Sequence, residues 1–258
     1  MGWPILESIR FLLAACVSEE LVRKDDLLLL FVGTTSQVSE NNNNWRKLCA
    51  KLLEVIADKS LTNAIIKYVV VKKCVRIYVK NLSQANLDAQ KTAEAIICLA
   101  CFLKNSAYLT DQLLQEFYEA DGYTMIKEFL LRNEKDEELV RNILIMTISL
   151  ITSGKFEILP QWTSGLVQLP NFQLPQPIGN GSSVRNLNAF SLLYHVFIES
   201  SNEQVSCTVI DILQSIYSCD HANYFILDRE YPLSIFIDQL ERKTQKTRLK
   251  MFWCKITC

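Results

Sequence analysis

The chain is poor both in residues that punctuate structure and in residues that catalyse: of 258 residues, seven are glycine, six proline and two histidine. With only His195 and His221, acid–base and metal-centred schemes have few starting points. Period-two alternation of apolar and polar residues is scarce, which argues against sheets. Long apolar runs are missing as well. LLLLFV at 27–32 is far short of the ~20 residues that span a bilayer, so no direct membrane insertion is expected. Neither charge sign dominates: 27 Lys and Arg stand against 28 Asp and Glu, a balance that does not point to nucleic acid. The basic run ERKTQKTRLK at 241–250 reads as a solvated helix face.

Cysteine is plentiful, but its nine copies are odd in number and scattered through apolar segments. That pattern opposes a disulfide framework and predicts a reducing, cytoplasmic setting. The opening MGWPILESIRFLLAACVS lacks a basic leader and carries Glu7 and Arg10, unlike a signal peptide. Leu6 and Lys255 stand where myristoylation and prenylation signals would need other residues.

Apolar residues at helical spacing run through almost the whole chain, which predicts an all-α protein. Pro4, Ser60 and Asn133 mark expected helix starts. A shift of 48 residues aligns the chain with itself. Leu21/Val69/Phe117, Leu27/Val75/Tyr123 and Leu30/Tyr78/Ile126 fall in one group of shared apolar columns. Leu48/Ile96/Leu144, Leu52/Ala100/Ile148 and Val55/Leu103/Ile151 fall in a second, at the i, i+4, i+7 spacing of one helix stripe. Each copy reads as a short helix, a tight corner, a second short helix, a polar loop and a longer helix. In the third copy these are 109–120, 123–132 and 136–153, and Gly122 is expected to supply the corner. The repeat length predicts a right-handed α-solenoid of armadillo- or HEAT-like three-helix units with one long loop insertion.

The expected layout is an armadillo-like helical region over 1–246 with units near 18–58, 60–104 and 108–153, a helical pair at 186–218 and a partial unit at 221–243. Four glycines and four prolines between 154 and 181 mark 154–185 as a Pro/Gly-rich loop insertion, and 247–258 is a divergent tail. QLPNFQLPQPIGNGSSVRN at 168–186 could offer an extended strip to a partner or pack as a surface loop. Gly179 and Gly181 resemble half of a phosphate loop but lack its lysine and preceding strand. The Asn41–Asn44 run reads as loop by composition, with Trp45 packing over the preceding turn or anchoring a partner.

Chemistry is thin. Cys98 and Cys101 form a CxxC inside an apolar helix with no further ligands near in sequence, so core packing is expected and neither metal nor cofactor. A Cys/His hydrolase could be drawn from Cys207 or Cys219 with His221, but no orienting group or oxyanion motif accompanies them. No catalytic, cofactor-binding or metal-binding residues are assigned, and the chain is not expected to be an enzyme.

Several segments resemble a known family: RKDDLLLLF at 23–31, NNWRK at 43–47, IIKY at 65–68, LPQPIGNGSSVRN at 174–186 and NYFILDREYPLS at 223–234. Together they resemble the armadillo-like amino-terminal region of the autophagy-linked FYVE (Alfy, or Blue cheese) family of BEACH and WD-repeat scaffolds, which includes a relative tied to antigen cross-presentation. The resemblance implies a cytoplasmic, non-enzymatic scaffold for protein partners, namely autophagy machinery and the cargo adaptors of aggrephagy. BEACH, WD-repeat and FYVE sequence is absent from these 258 residues, so that family's lipid- and adaptor-binding residues have no positions here. The ending TRLKMFWCKITC is expected to mark a truncated or alternatively spliced form. In the last unit Ile226, Leu227, Ile235 and Ile237 are expected to lie partly uncovered and to favour self-association. A generic armadillo-type adaptor with an unrelated partner is the alternative.

Overall fold

The computed structural model describes residues 19–36, 40–154, 184–219, 223, 227 and 230–243. Every regular element among them is helical. After a helical stretch at 19–23 come α1 (Leu27–Thr34), α2 (Glu40–Lys59), α3 (Asn63–Val71), α4 (Cys74–Gln84), α5 (Ala89–Ser106), α6 (Gln112–Glu119) and α7 (Gly122–Arg132). There follow α8 (Glu137–Ile151), α9 (Leu187–Glu199), α10 (Glu203–Cys219) and α11 (Leu233–Lys243). The chain divides into two compact units, one of residues 1–133 with 153–155 and the other of 134–152 with 156–258. The division falls within the segment 108–153 that the repeat register treats as one.

In the first unit the order of short helix, corner, short helix and long helix recurs. Its corners are the only non-glycine residues described with positive φ: Asp25 at 65°, Lys73 at 54° and Asp121 at 58°. They stand at intervals of 48, and each separates two short helical stretches. Gly122 is therefore not the residue in the left-handed conformation, contrary to expectation. It opens α7 because a Cβ there would lie 2.1 Å from Cε2 of Phe117, whose ring packs edge-on against Tyr123. A close approach of ring to backbone, rather than turn geometry, excludes a side chain.

Other local signals also move. The cap of α3 is Thr62, whose side chain accepts from the Ile65 amide, and Ser60 is buried before it. Asp136 caps α8 by accepting from Leu139 N, with Glu137 and Glu138 in the first turn, where carboxylates favour the helix amino terminus. Asn133 instead closes α7, donating from Nδ2 to the Phe129 carbonyl. Pro4 lies outside the described residues. The asparagine run expected as loop is the first part of α2. Extending a nucleated helix by one turn is easy, and Arg46, Cys49, Leu53 and Ile56 supply a buried face that the polar lead merely prolongs.

The core of the first unit joins these layers. Phe31 of α1 meets Tyr78 of α4 and Phe102 of α5 edge-on, and Tyr78 donates its buried hydroxyl to the Ala95 carbonyl. Gly33 allows α1 to press on α2, since a Cβ there would sit 2.5 Å from Cys49 Sγ and 2.8 Å from Trp45 Nε1.

In the second unit α8 packs on α9 and α10. Arg185 and Asn186 both donate their amides to the Ile151 carbonyl, so the insertion leaves and rejoins the helices at one point. Asn223, fully buried, accepts from Val184 N and donates to the Ile216 carbonyl, holding that junction to α10. Phe236 of α11 packs against Tyr194 and Phe197 of α9. Leu227, expected uncovered, is fully buried; Ile235 is half-buried and Ile237 is 37% exposed, while Ile226 lies outside the described residues. The bulk of the insertion and the tail lie outside them too.

Candidate interaction groove

Loop 85–88 carries the chain from α4 to α5, and α7 runs beside it. Small side chains at Ala85, Ala89 and Ala120 leave the space between unfilled, opening a groove of about 690 Å³. Its floor is apolar, from Leu82, Leu87, Ile96, Met125 and Phe129; its rim is polar, from Ser83, Thr92, Thr124 and Glu128. On one side Arg132 Nη2 donates to Glu128 Oε2 at 2.8 Å. Next to the lining residues Leu87 and Ala89, Asp88 caps α5 through the Lys91 amide and pairs with the Lys91 ammonium, and Lys91 holds its carboxyl below the ordinary value. An apolar floor with hydrogen-bonding edges suits a peptide, which presents both kinds of surface. None of these residues is poised for bond-making chemistry.

A second exposed surface lies on α1 and α2, where Leu29, Val32, Trp45 and Leu48 are open to solvent. Trp45 lies within α2 with its ring against Gly33 of α1, and it remains 46% exposed.

The thiols are arranged for packing. Cys49, Cys74 and Cys98 are buried, and burial raises them, to about 11 for Cys49 and about 12 for the other two. Cys101 is half-buried and also raised by burial, so the CxxC is not a pair of ready thiolates. No cluster of three or more metal-ligating side chains occurs among the described residues. Burial, reinforced by Glu203 and Asp211, raises the Cys207 thiol, the reverse of what a nucleophile requires. His221 and the side chain of Cys219 lie outside the described residues. His195 is half-exposed, with Nδ1 3.6 Å from Glu199 on its own helix.

Sequence reasoning did not single out the groove, since its residues come from two loops and three helices. One pair was within reach: Arg46 and Glu94, opposite charges 48 residues apart, which form an ion pair at 2.7 Å. Cys98 Sγ, at the same interval, donates to the Ala50 carbonyl at 3.5 Å.

The described residues form an all-α protein with an open groove and no catalytic constellation among them. No protein-family model matches the chain, and no solved structure does. It is similar to the WD repeat- and FYVE domain-containing protein 4 of Homo sapiens, 27% identical over 234 residues, which is 87% of this chain. The Mus musculus protein of that name is 27% identical over 237 residues, again 87% of the chain. These likenesses support the relationship to the FYVE and WD-repeat family that the sequence resembles. The chain spans 7% of the length of either relative. No described helix is long and apolar enough to cross a membrane.

Proposed function

We propose that this chain is a non-enzymatic protein-interaction scaffold in the cytoplasm, an armadillo-like right-handed α-solenoid belonging to an autophagy scaffold of the BEACH family. The observation that carries the reading is the 48-residue register between the long helices α2 and α5. Two hydrogen bonds between α2 and α5, Arg46 to Glu94 and Cys98 to Ala50, span 48 residues, the interval that also separates the left-handed corners. Stacking of like on like at one repeat length is how helical solenoids build extended recognition surfaces. The likeness to the WD repeat- and FYVE domain-containing proteins supports the scaffold role.

In this reading the solenoid occupies 1–246, with 154–185 as an insertion and 247–258 as a tail, and the groove at Met125 and Phe129 takes a segment of a cargo adaptor or of the autophagy machinery. Neither nucleic acid nor cofactor takes part. Self-association through the last helix would rest on Ile237 rather than on the buried Leu227. The test is titration of purified ubiquitin-binding cargo adaptors against the full chain, its Thr124→Arg/Glu128→Arg variant and a variant lacking 155–183. Loss of binding in the groove variant, with unfolding unchanged, supports the reading. Binding lost only on deleting 155–183 moves recognition to the insertion. No binding by any adaptor favours a generic armadillo adaptor with another partner.

A further inference from the structure

Tyr68, near the end of α3, ties its helix to the corner at Asp25. Its hydroxyl donates to the Asp25 carbonyl at 3.0 Å and accepts from Leu28 N at 3.4 Å. One repeat interval further along, the same three positions hold Glu116, Lys73 and Arg76. Glu116 is 4% exposed, and neither of its buried carboxylate oxygens makes a well-formed hydrogen bond, although the Arg76 amide is near enough to pull on the carboxyl. A phenol donates and accepts at once, as Tyr68 does; an ionised carboxylate only accepts, whereas a neutral carboxylic acid does both.

We propose that Glu116 is a proton-operated latch on the joint between the α3–α4 corner and α6. Protonated, it donates to the Lys73 carbonyl and accepts from the Arg76 amide, as Tyr68 does at the preceding corner; ionised, it leaves a buried charge and an unmade bond there. The Lys73 carbonyl already accepts from Ile77 N and keeps a second lone pair for the latch.

The charged and titratable groups facing Glu116 are Lys73 at the corner, Arg76 and Cys74 on α4, and Glu119 on α6 itself. Burial is the largest influence and raises the Glu116 carboxyl above its ordinary 4.5, against the opposing pull of the Lys73 charge, the Arg76 amide and the Arg76 charge. The Arg76 guanidinium is itself engaged by Glu119 at 3.4 Å. Because the folded-state value is raised, the ionised form weakens the fold above that value. The weakening is relieved as pH falls toward the unfolded-state value. The joint therefore tightens on acidification.

The experiment is thermal unfolding of the full chain and its Glu116→Gln variant from about pH 7.5 down to about pH 4, below the ordinary carboxyl value, with hydrogen exchange of the Arg76 amide followed in both. A glutamine donates and accepts without charge. It is expected to raise the unfolding midpoint by roughly 2–4 °C at the upper pH and to slow Arg76 exchange. Both differences should close as the wild-type carboxyl takes up its proton. A difference independent of pH, or a variant less stable at the upper pH, overturns the proposal. Should the variant not fold, carboxyl-carbon NMR titration of Glu116 in the wild-type chain decides: a value above 4.5 sustains the latch, and one at or below 4.5 ends it.

Discussion

Arg46 and Glu94, each on a long helix, are joined by a 2.7 Å ion pair in which the guanidinium is 1% exposed and the carboxylate 42%. The asymmetry predicts how the pair responds to cutting. Glu94→Ala strands a buried cation, already missing a partner at Nε, and should destabilise by about 1–3 kcal/mol. Arg46→Met, which removes the buried charge and keeps apolar bulk, should cost less. Denaturant melts of the two variants check the order; an equal loss would mean that solvent reaches the guanidinium.

The two residues of the Asp121–Gly122 corner should respond in opposite ways. Gly122→Ala forces a methyl into the Phe117 ring and is expected to cost about 1–3 kcal/mol. Asp121→Gly removes the left-handed strain of a residue with a Cβ and should be neutral or stabilising. Chemical denaturation compares them, and the reverse order would return the corner to Gly122.

Glu134 gives an acid-side dependence opposite in slope to that of Glu116. Its carboxylate accepts from Ser201 Oγ at 2.7 Å and Ser200 Oγ at 2.8 Å, and these bonds, Ser201 first, hold it below its ordinary 4.5. A depressed folded-state value adds stability above the unfolded-state value and loses it as pH falls through the folded one. Glu134→Gln should therefore weaken the second unit at neutral pH and make no difference in strong acid. Unfolding of variant and wild type across the acid limb tests this; parallel curves would contradict it.

Thiol labelling of the native chain at neutral pH should leave Cys49, Cys74 and Cys98 unmodified until the chain unfolds, and reach Cys101 and Cys207 slowly. Rapid modification of Cys207 would revive the hydrolase alternative.

Helix identity was legible because apolar spacing directly records which face is buried. The stretch 186–218, expected as a helical pair, holds α9 and all but the end of α10, with Asn186 capping the first. Ends and corners were less legible. Asn133 and Ser60 suit a helix start, but the neighbours Asp136 and Thr62 reach the amide three residues on. Gly122 attracted attention as a turn residue although its constraint comes from Phe117, five residues back. Lys73 gives no compositional hint of a left-handed backbone; only its place in the register does. The groove escaped because it is a space between helices, set by three alanines that read as unremarkable in sequence. Glu116 was equally quiet, a charged residue on a short helix whose burial depends on the corner packed above it.

The central claim is that successive helical groups stack in a 48-residue register, and it is tested most directly by long-range NOEs in the first unit. The account predicts cross-peaks linking Arg46 to Glu94 and Ala50 to Cys98, together with the Tyr68 ring to the Asp25–Leu28 corner. Contacts between α2 and α5 displaced by a helical turn, or none between those helices, would contradict it.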